Sequence, residues 1–340
     1  MPASLSLPMN RIEIRPLEEG DGASVLAGWN RIFPDQDGLE PRGPEDFDWA
    51  FRSNPTGPME AAVAVLDGEI VGQYACLPMR SLREGEEIST GLVVDAFVLP
   101  PHRRALGRPG LIIHLARKLH EWYCGPGAAL RERGHDLLYG YPYPIWRIAR
   151  RYLDSEMVRD MDVLFREIRT EPKRLPEGVS LTGAVPEDAD DLWSRLAGEI
   201  RFGLVRDRAY LKWRYEEHPR NRYSFLSFRD DAGSLRALAV ARAGRYVVER
   251  AGLLVDWIAP REEEPCEAAL LAGLETWAAK EGLPLLLCVL PQNDPRFLRF
   301  QRRGFLVGPP SHFLVMNSFR DHVRWLRDRW FFTLGDSDLV

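Results

Sequence analysis

The chain has 340 residues, 45% of them hydrophobic, with 45 basic and 50 acidic side chains for a formal net charge of −5. That length suits two ordinary domains, and the mild acidity gives no basic footprint for nucleic-acid binding. The cysteines at 76, 124, 266 and 288 lack metal-ligand spacing and any dense disulfide pattern. With no signal-like N-terminus and no apolar run that could span a bilayer, they read as reduced, buried thiols of a cytoplasmic protein.

In chain order, IEIRPL from Ile12 alternates as a strand, and ASVLAGWNRIF repeats Val25, Leu26, Trp29 and Phe33 at helical spacing. A second helix is predicted at PEDFDWAFR, where Pro44 sits just inside the start. Asp67-Gly68 signals a two-residue hairpin, and residues 88–100 form the next strand. LIIHLARKLHEWY places Ile112, Leu115, Ala116, Leu119 and Trp122 on one helical face; HDLLYGYP follows as a buried strand, then a short helix from Pro144 and a closing strand in MDVLFREI. TEPKRLPEGVS, with two prolines and mixed charge, reads as a linker. Beyond it the order recurs: helices at PEDADDLWSRLAGEI and DRAYLKWRYEEH, a meander over 223–260, helix CEAALLAGLETWAAKEG, strand LPLLLCVLP, helix DPRFLRFQRR, strand GFLVGPPSHFLVMN and a tail from Ser318.

Specific landmarks recur with the elements. Trp49 and Pro55 return as Trp213 and Pro219, Gly68 as Gly233, Asp95 as Asp256, and RRYL at Arg150 as RRGF at Arg302. A period of about half the chain means two homologous domains rather than a solenoid. The expected fold is α+β, each copy a mixed sheet flanked by helices, with domains at 1–169 and 181–340 and a linker at 170–180.

The first copy carries the chemical signal. Its strand ends in two prolines and passes through Arg103, Arg104, Leu106, Gly107, Arg108, Pro109 and Gly110 into an amphipathic helix. A glycine loop at a helix start presents backbone N–H groups and positive charge to a diphosphate, and arginines suit phosphate oxygens. The second copy has REEEP after Pro260, whose carboxylates would repel that anion. The histidines at 102, 114, 120, 135, 218, 312 and 322 form no i, i+4 pair, so no metal is expected, and the serine-hydrolase elbow and P-loop are missing.

With Leu99-Pro100-Pro101 leading into Arg104-Ala-Leu-Gly107-Arg-Pro109, the first copy resembles the GNAT N-acetyltransferase superfamily, whose acetyl-CoA loop is Q/R-x-x-G-x-G/A. DPRFLRFQRRGF in the second copy is similar to that family's later signature. The resemblance implies a tandem protein whose first copy binds acetyl-CoA, or another short acyl-CoA, and whose degenerate second copy shapes the acceptor cleft. It further implies that the backbone of Phe97, Val98 and Leu99 meets the thioester arm. Two departures stand out. Pro109 has no N–H to offer, and the family's proton-donating tyrosine is replaced by Ile148 and Phe300.

The expected reaction is direct attack of an amine on the acyl-CoA in a ternary complex. Asp95, Tyr141, Tyr143 and Tyr152 are the candidate bases and acids near the loop. Trp330, Phe331 and Phe332 should dock the tail, which would bring Asp338 and the chain-end carboxylate to a surface where they could bind a cationic acceptor or take its proton. Alternative readings are a non-catalytic acyl-CoA-binding scaffold, or an aminoacyl or peptidyl transferase on a similar tandem fold. No nucleic-acid or membrane partner is expected; the acceptor and the oligomeric state stay open.

Overall fold

The protein is described by a computed structural model covering residues 12–33, 41–142, 146–168, 174–262 and 265–340. In chain order the first half forms β1 (Glu13–Pro16), α1 (Gly22–Ile32), α2 (Pro44–Phe51), β2 (Glu60–Leu66), β3 (Glu69–Arg83), β4 (Glu86–Val98), α3 (Leu111–Tyr123), β5 (Leu137–Gly140), α4 (Trp146–Leu153), β6 (Glu156–Asp160) and β7 (Val163–Glu167). The second half opens with β8 (Val179–Thr182), α5 (Ala189–Leu196), β9 (Phe202–Leu204), and α6 (Arg208–Leu211), which continues as a π-turn to Glu216. It goes on with β10 (Ser224–Arg229), β11 (Leu235–Tyr246), β12 (Val248–Ile258), α7 (Pro265–Lys280), β13 (Leu285–Val289), α8 (Pro295–Arg302), β14 (Leu306–Gly308), β15 (Phe313–Ser318) and α9 (Val323–Arg329).

The helices form where the periodicity places them. α1 buries Val25, Gly28 and Trp29, three and four residues apart, and packs so closely on β4 that a Cβ at Gly28 would lie 2.4 Å from the Phe97 ring. α2 starts with Pro44, Glu45 and Asp46, residues that suit a first turn with its free N–H groups and positive dipole end. α3 lays Leu111, Leu115, Ala116 and Leu119 on the first sheet. Its counterpart α7 buries Leu270, Leu271, Leu274 and Trp277.

Two mixed sheets result, in the orders β1-β2-β3-β4-β5-β15-β6 and β14-β7-β13-β12-β11-β10-β8, with β9 added against β3. The halves therefore exchange strands. MDVLFREI, expected to close the first sheet, does form β7, but β7 pairs with β13 and β14 of the second sheet. GFLVGPPSHFLVMN, expected as one strand, divides at Pro309-Pro310, which lack the N–H groups a ladder needs. β14 stays in the second sheet while β15 enters the first, between β5 and β6. The predicted boundaries at 169 and 181 thus do not separate the sheets, and β8 begins inside the predicted linker. An apolar run announces a buried strand, but its neighbours depend on topology that periodicity does not carry. All four cysteines are free and buried, and no helix among the described residues is long and apolar enough to cross a membrane.

Candidate functional site

β3 and β4 pair regularly from Arg83–Glu86 up to Ala75–Val94, then the register slips so that Gln73 faces Phe97. Asp95 and Ala96 bulge out opposite Tyr74, and Asp95 takes a φ of +47°. On its other side β4 pairs with β5 only through Thr90–Leu92 against Leu137–Tyr139. From Val93 onward the β5-facing edge of β4 has no strand partner among the described residues, and the split opens a cleft of about 370 Å³ lined by Tyr74, Asp95, Ile112, Ile113, Leu138 and Ile148, among others. Unpaired strand-edge amides beside an apolar wall can hold an extended, amide-containing chain.

The loop Arg103–Gly110 leads from the end of β4 to the start of α3, whose Ile112 and Ile113 line that cleft. Gly107 and Gly110 have φ of +70° and +109°, where a side chain would be strained, and a Cβ at Gly110 would meet the Arg103 carbonyl at 3.1 Å. The Leu111 N–H donates to that carbonyl, which folds the loop back on the helix start. Arg103, Arg104 and Arg108 are exposed, with no ion-pair partner among the described residues. Phe97, Val98 and Leu99 are buried; the Leu99 N–H is spent on the Val71 carbonyl at 2.9 Å.

A second cleft, of about 260 Å³, lies between the halves. Trp29, Arg42, Asp46 and Trp49 line it from the first half, Trp213, Arg214, His218 and Arg220 from the second, and Asp338 from the tail. Trp49 and Trp213 stack at 5.0 Å and 13°, and each indole N–H donates to the other's backbone carbonyl, at 2.8 and 3.2 Å. The repeat thus closes on itself about a local pseudo-twofold axis. The two clefts share Val94, Asp95 and Asp338.

Asp95 is held by Arg42 at 2.7 Å, and the Arg42 guanidinium lies over the Trp29 ring. The same pair recurs at the repeat offset as Arg206 and Asp256, 2.8 Å apart and fully buried. There the tail completes the cluster: Asp336 accepts from Arg206 at 2.5 Å and from the Thr333 N–H at 2.7 Å, while the Tyr215 hydroxyl donates to Asp256 at 3.0 Å. Phe331 lies under Arg296 at 4.2 Å, and Arg214 donates to the Ser337 and Val340 carbonyls at 2.6 and 3.1 Å. Docking of the aromatic tail is thereby realised, against the buried arginines of the second copy.

Asp338 emerges two residues past this anchor, with its surface exposed to solvent and its carboxylate at the junction of the two clefts. Desolvation by the surrounding protein raises its pKa to about 6, the nearby Asp95 charge adds to the rise, and Arg214 and Arg42 oppose it. His218 is pushed down to about 3 by burial and by Arg214, Arg242, Arg220 and Arg42, so it is neutral; its Nδ1 accepts the Arg220 and Asn221 backbone N–H groups.

Of the predicted site residues, the structure brings Asp95 and Asp338 together at the meeting of the clefts. Tyr141 lines the β4–β5 cleft, and its buried hydroxyl has no hydrogen-bond partner among the described residues. Tyr143 lies outside the described residues. Tyr152 packs against the cluster of Ile113, Ala116 and Leu153 and lines neither cleft. Sequence reasoning missed Tyr74, a half-buried phenol opposite the bulge whose burial raises its pKa and keeps its proton in place at neutral pH. Arg42 and Arg206 could have been found, since they stand at the same 164-residue offset as the tryptophan pair.

Residues 13–152 match the family model described as acetyltransferase (GNAT) domain. Among solved structures, a probable N-acyltransferase of Enterococcus faecalis V583 is similar over 91% of this chain and 72% of its own, at 14% identity and a TM-score of 0.65. A tandem GNAT protein from the clavulanic acid biosynthesis pathway is similar over 92% of this chain and 100% of its own, at 15% identity and a TM-score of 0.56. Saccharomyces cerevisiae N-myristoyltransferase with bound myristoyl-CoA is similar over 92% and 83%, at 12% identity and a TM-score of 0.56. No curated protein matches the sequence.

Proposed function

We propose that the chain, whose residues 13–152 match the acetyltransferase (GNAT) domain model, transfers an acyl group from acyl-CoA to an amine, with both substrates bound at once. The carrying observation is that the β4–β5 cleft and the interdomain cleft meet at Asp95 and Asp338. The donor arm lies along the unpaired edge of β4, with its diphosphate at Arg103–Gly110 and the start of α3. The acceptor enters between Trp49 and Trp213 on one side and the tail on the other.

At the junction the amine nitrogen attacks the thioester carbonyl carbon and forms the C–N bond. The proton it sheds passes to Asp338, which is ionised at neutral pH yet basic enough to accept it. Asp95 serves this step less well, because Arg42 already holds its carboxylate. As the C–S bond breaks, the thiolate takes a proton from a phenol. Tyr74 lines the donor cleft and fits that role where Ile148 replaces the family's tyrosine.

The test is turnover of the full chain with acetyl-CoA and longer acyl-CoAs against a panel of amines. Asp338→Asn should lower kcat by about 10²-fold, the low end for acid–base catalysis, and leave CoA affinity unchanged. Tight CoA binding without turnover of any amine would instead support a non-catalytic acyl-CoA-binding protein.

A further inference from the structure

Four groups remote in sequence converge under the first sheet. Glu60 opens β2 and stands directly across from Cys76 in β3. His135, on the stretch entering β5, reaches both: its Nε2 lies 2.8 Å from the Glu60 Oε2 and 4.0 Å from the Cys76 Sγ. Its Nδ1 lies 2.8 Å from the Ser89 hydroxyl. Cys76 and His135 are fully buried, and the three donor atoms all lie within 4.8 Å of one another. Arg131, on the loop between α3 and β5, closes the cluster from outside, with Nη1 2.5 Å from the Glu60 Oε1 and 3.4 Å from the His135 Nε2. Its side chain is a quarter exposed.

We propose that Glu60, Cys76 and His135 form a divalent-metal site of the zinc class, in which Arg131 is the displaceable cation that fills the site when no metal is bound. A thiolate, an imidazole and a carboxylate make a donor set that zinc favours over magnesium or calcium, which prefer oxygen alone. Donor atoms around a tetrahedral zinc lie roughly 3.3–3.7 Å apart, from bond lengths of about 2.0–2.3 Å. The observed 2.8 Å and 4.0 Å straddle that range and the third separation lies within 4.8 Å, so shifts of about an ångström would assemble the site. The Ser89 hydroxyl supplies the outer contact that holds a ligating imidazole in its tautomer. The backbone of His135 is pinned as well: its N–H donates to the Tyr123 carbonyl at 2.8 Å, and its carbonyl accepts from Gly125 at 2.9 Å.

The charge accounting closes in both states. Without metal, the Arg131 cation balances the Glu60 carboxylate and Cys76 keeps its proton. On metal binding the Cys76 thiol loses that proton to solvent, and two negative ligands balance the divalent ion. His135 gives up the Nε2 proton that faces Glu60 and takes one on Nδ1, directed at the Ser89 oxygen, so that Nε2 can ligate, and Arg131 swings into water. The fourth position, which the guanidinium vacates, is left to water. Such a site would tie β2, β3 and the start of β5 together. Its ligands come from separate strands, so no short spacing in the sequence announces it.

Cobalt(II) titration of the full chain tests this, because a cobalt–thiolate bond gives a charge-transfer band in the near ultraviolet. The expected result is one cobalt per chain, displaced by zinc, with the band lost in Cys76→Ser and kept in Cys124→Ser. Arg131→Ala removes the competing cation without touching a ligand, and should bind cobalt about tenfold more tightly, within the range a single supporting contact carries at a metal site. Any of three results would overturn the proposal: no thiolate band at millimolar cobalt in either the parent or Arg131→Ala, a band that survives Cys76→Ser, or weaker binding in Arg131→Ala. Circular dichroism of each variant identifies any loss that comes from unfolding.

Discussion

The pKa of Asp338 gives the reaction a pH dependence that one substitution should move in a known direction. An ordinary aspartate titrates near 3.9, whereas desolvation and the neighbouring Asp95 bring Asp338 to about 6. A base must be ionised to work, so activity should fall as pH drops through that value: about nine tenths of the carboxylate is available at pH 7 and about one tenth at pH 5. Asp95→Asn removes the like charge and frees Arg42 to favour the ionised form of Asp338, so the acid limb should move to lower pH. The shift should be less than about one unit, because desolvation, the larger cause, remains. The assay is kcat/KM for the acceptor against pH at saturating acyl-CoA, with two amines of different basicity. A limb set by the amine's own proton moves with the amine, and the limb set by Asp338 does not. A limb that stays fixed in Asp95→Asn, or that persists in Asp338→Asn, would refute the assignment.

Gly107→Glu should weaken CoA binding at least about tenfold, since it puts a side chain at φ +70° and a carboxylate beside the diphosphate; calorimetry on the parent should find one site per chain. Tyr74→Phe should lower kcat by about 10²-fold while Tyr152→Phe leaves it unchanged, and the reverse order would exchange their roles. Arg206→Leu leaves Asp256 and Asp336 buried without their cation, a loss of about 3–5 kcal/mol. It should lower the melting temperature and expose the tail to protease, and a tail that stays protected would show that the ion cluster does not hold it.

The repeat, the element order and the glycine-arginine turn before α3 were legible because each is local: a helical stripe, a two-residue turn, a glycine beside arginines. The tail's docking was legible too, since Trp330, Phe331 and Phe332 are too apolar to stay in water, and all three are buried. The strand exchange was hidden because Val163–Glu167 is apolar enough for either sheet, and only the three-dimensional crossing decides between them. Tyr74 was hidden for a related reason. As one aromatic in a strand it looks like packing until a register slip places it opposite Asp95.

The second copy carries REEEP where the first has its glycine loop, and the duplication shows what stands at the position of the first copy's ion pair. The pair Arg42–Asp95 and its repeat Arg206–Asp256 mark equivalent positions in the two copies, which face each other across the stacked tryptophans. In the second copy the cation holds an extra carboxylate, Asp336, and of the aromatic residues before it Phe331 packs under Arg296 while Trp330 packs on Tyr139 and Phe202. That docking fixes the tail's direction, and two residues later the chain has reached the first cleft, with Asp338 at its junction with the interdomain space. On the proposed mechanism the second copy would act on the first through a covalently attached side chain rather than through a ligand of its own. A change at Arg206, remote from the first cleft's chemistry, should alter turnover and the pH profile together, because it releases the segment that sets the position of Asp338 and the desolvation on which its pKa depends.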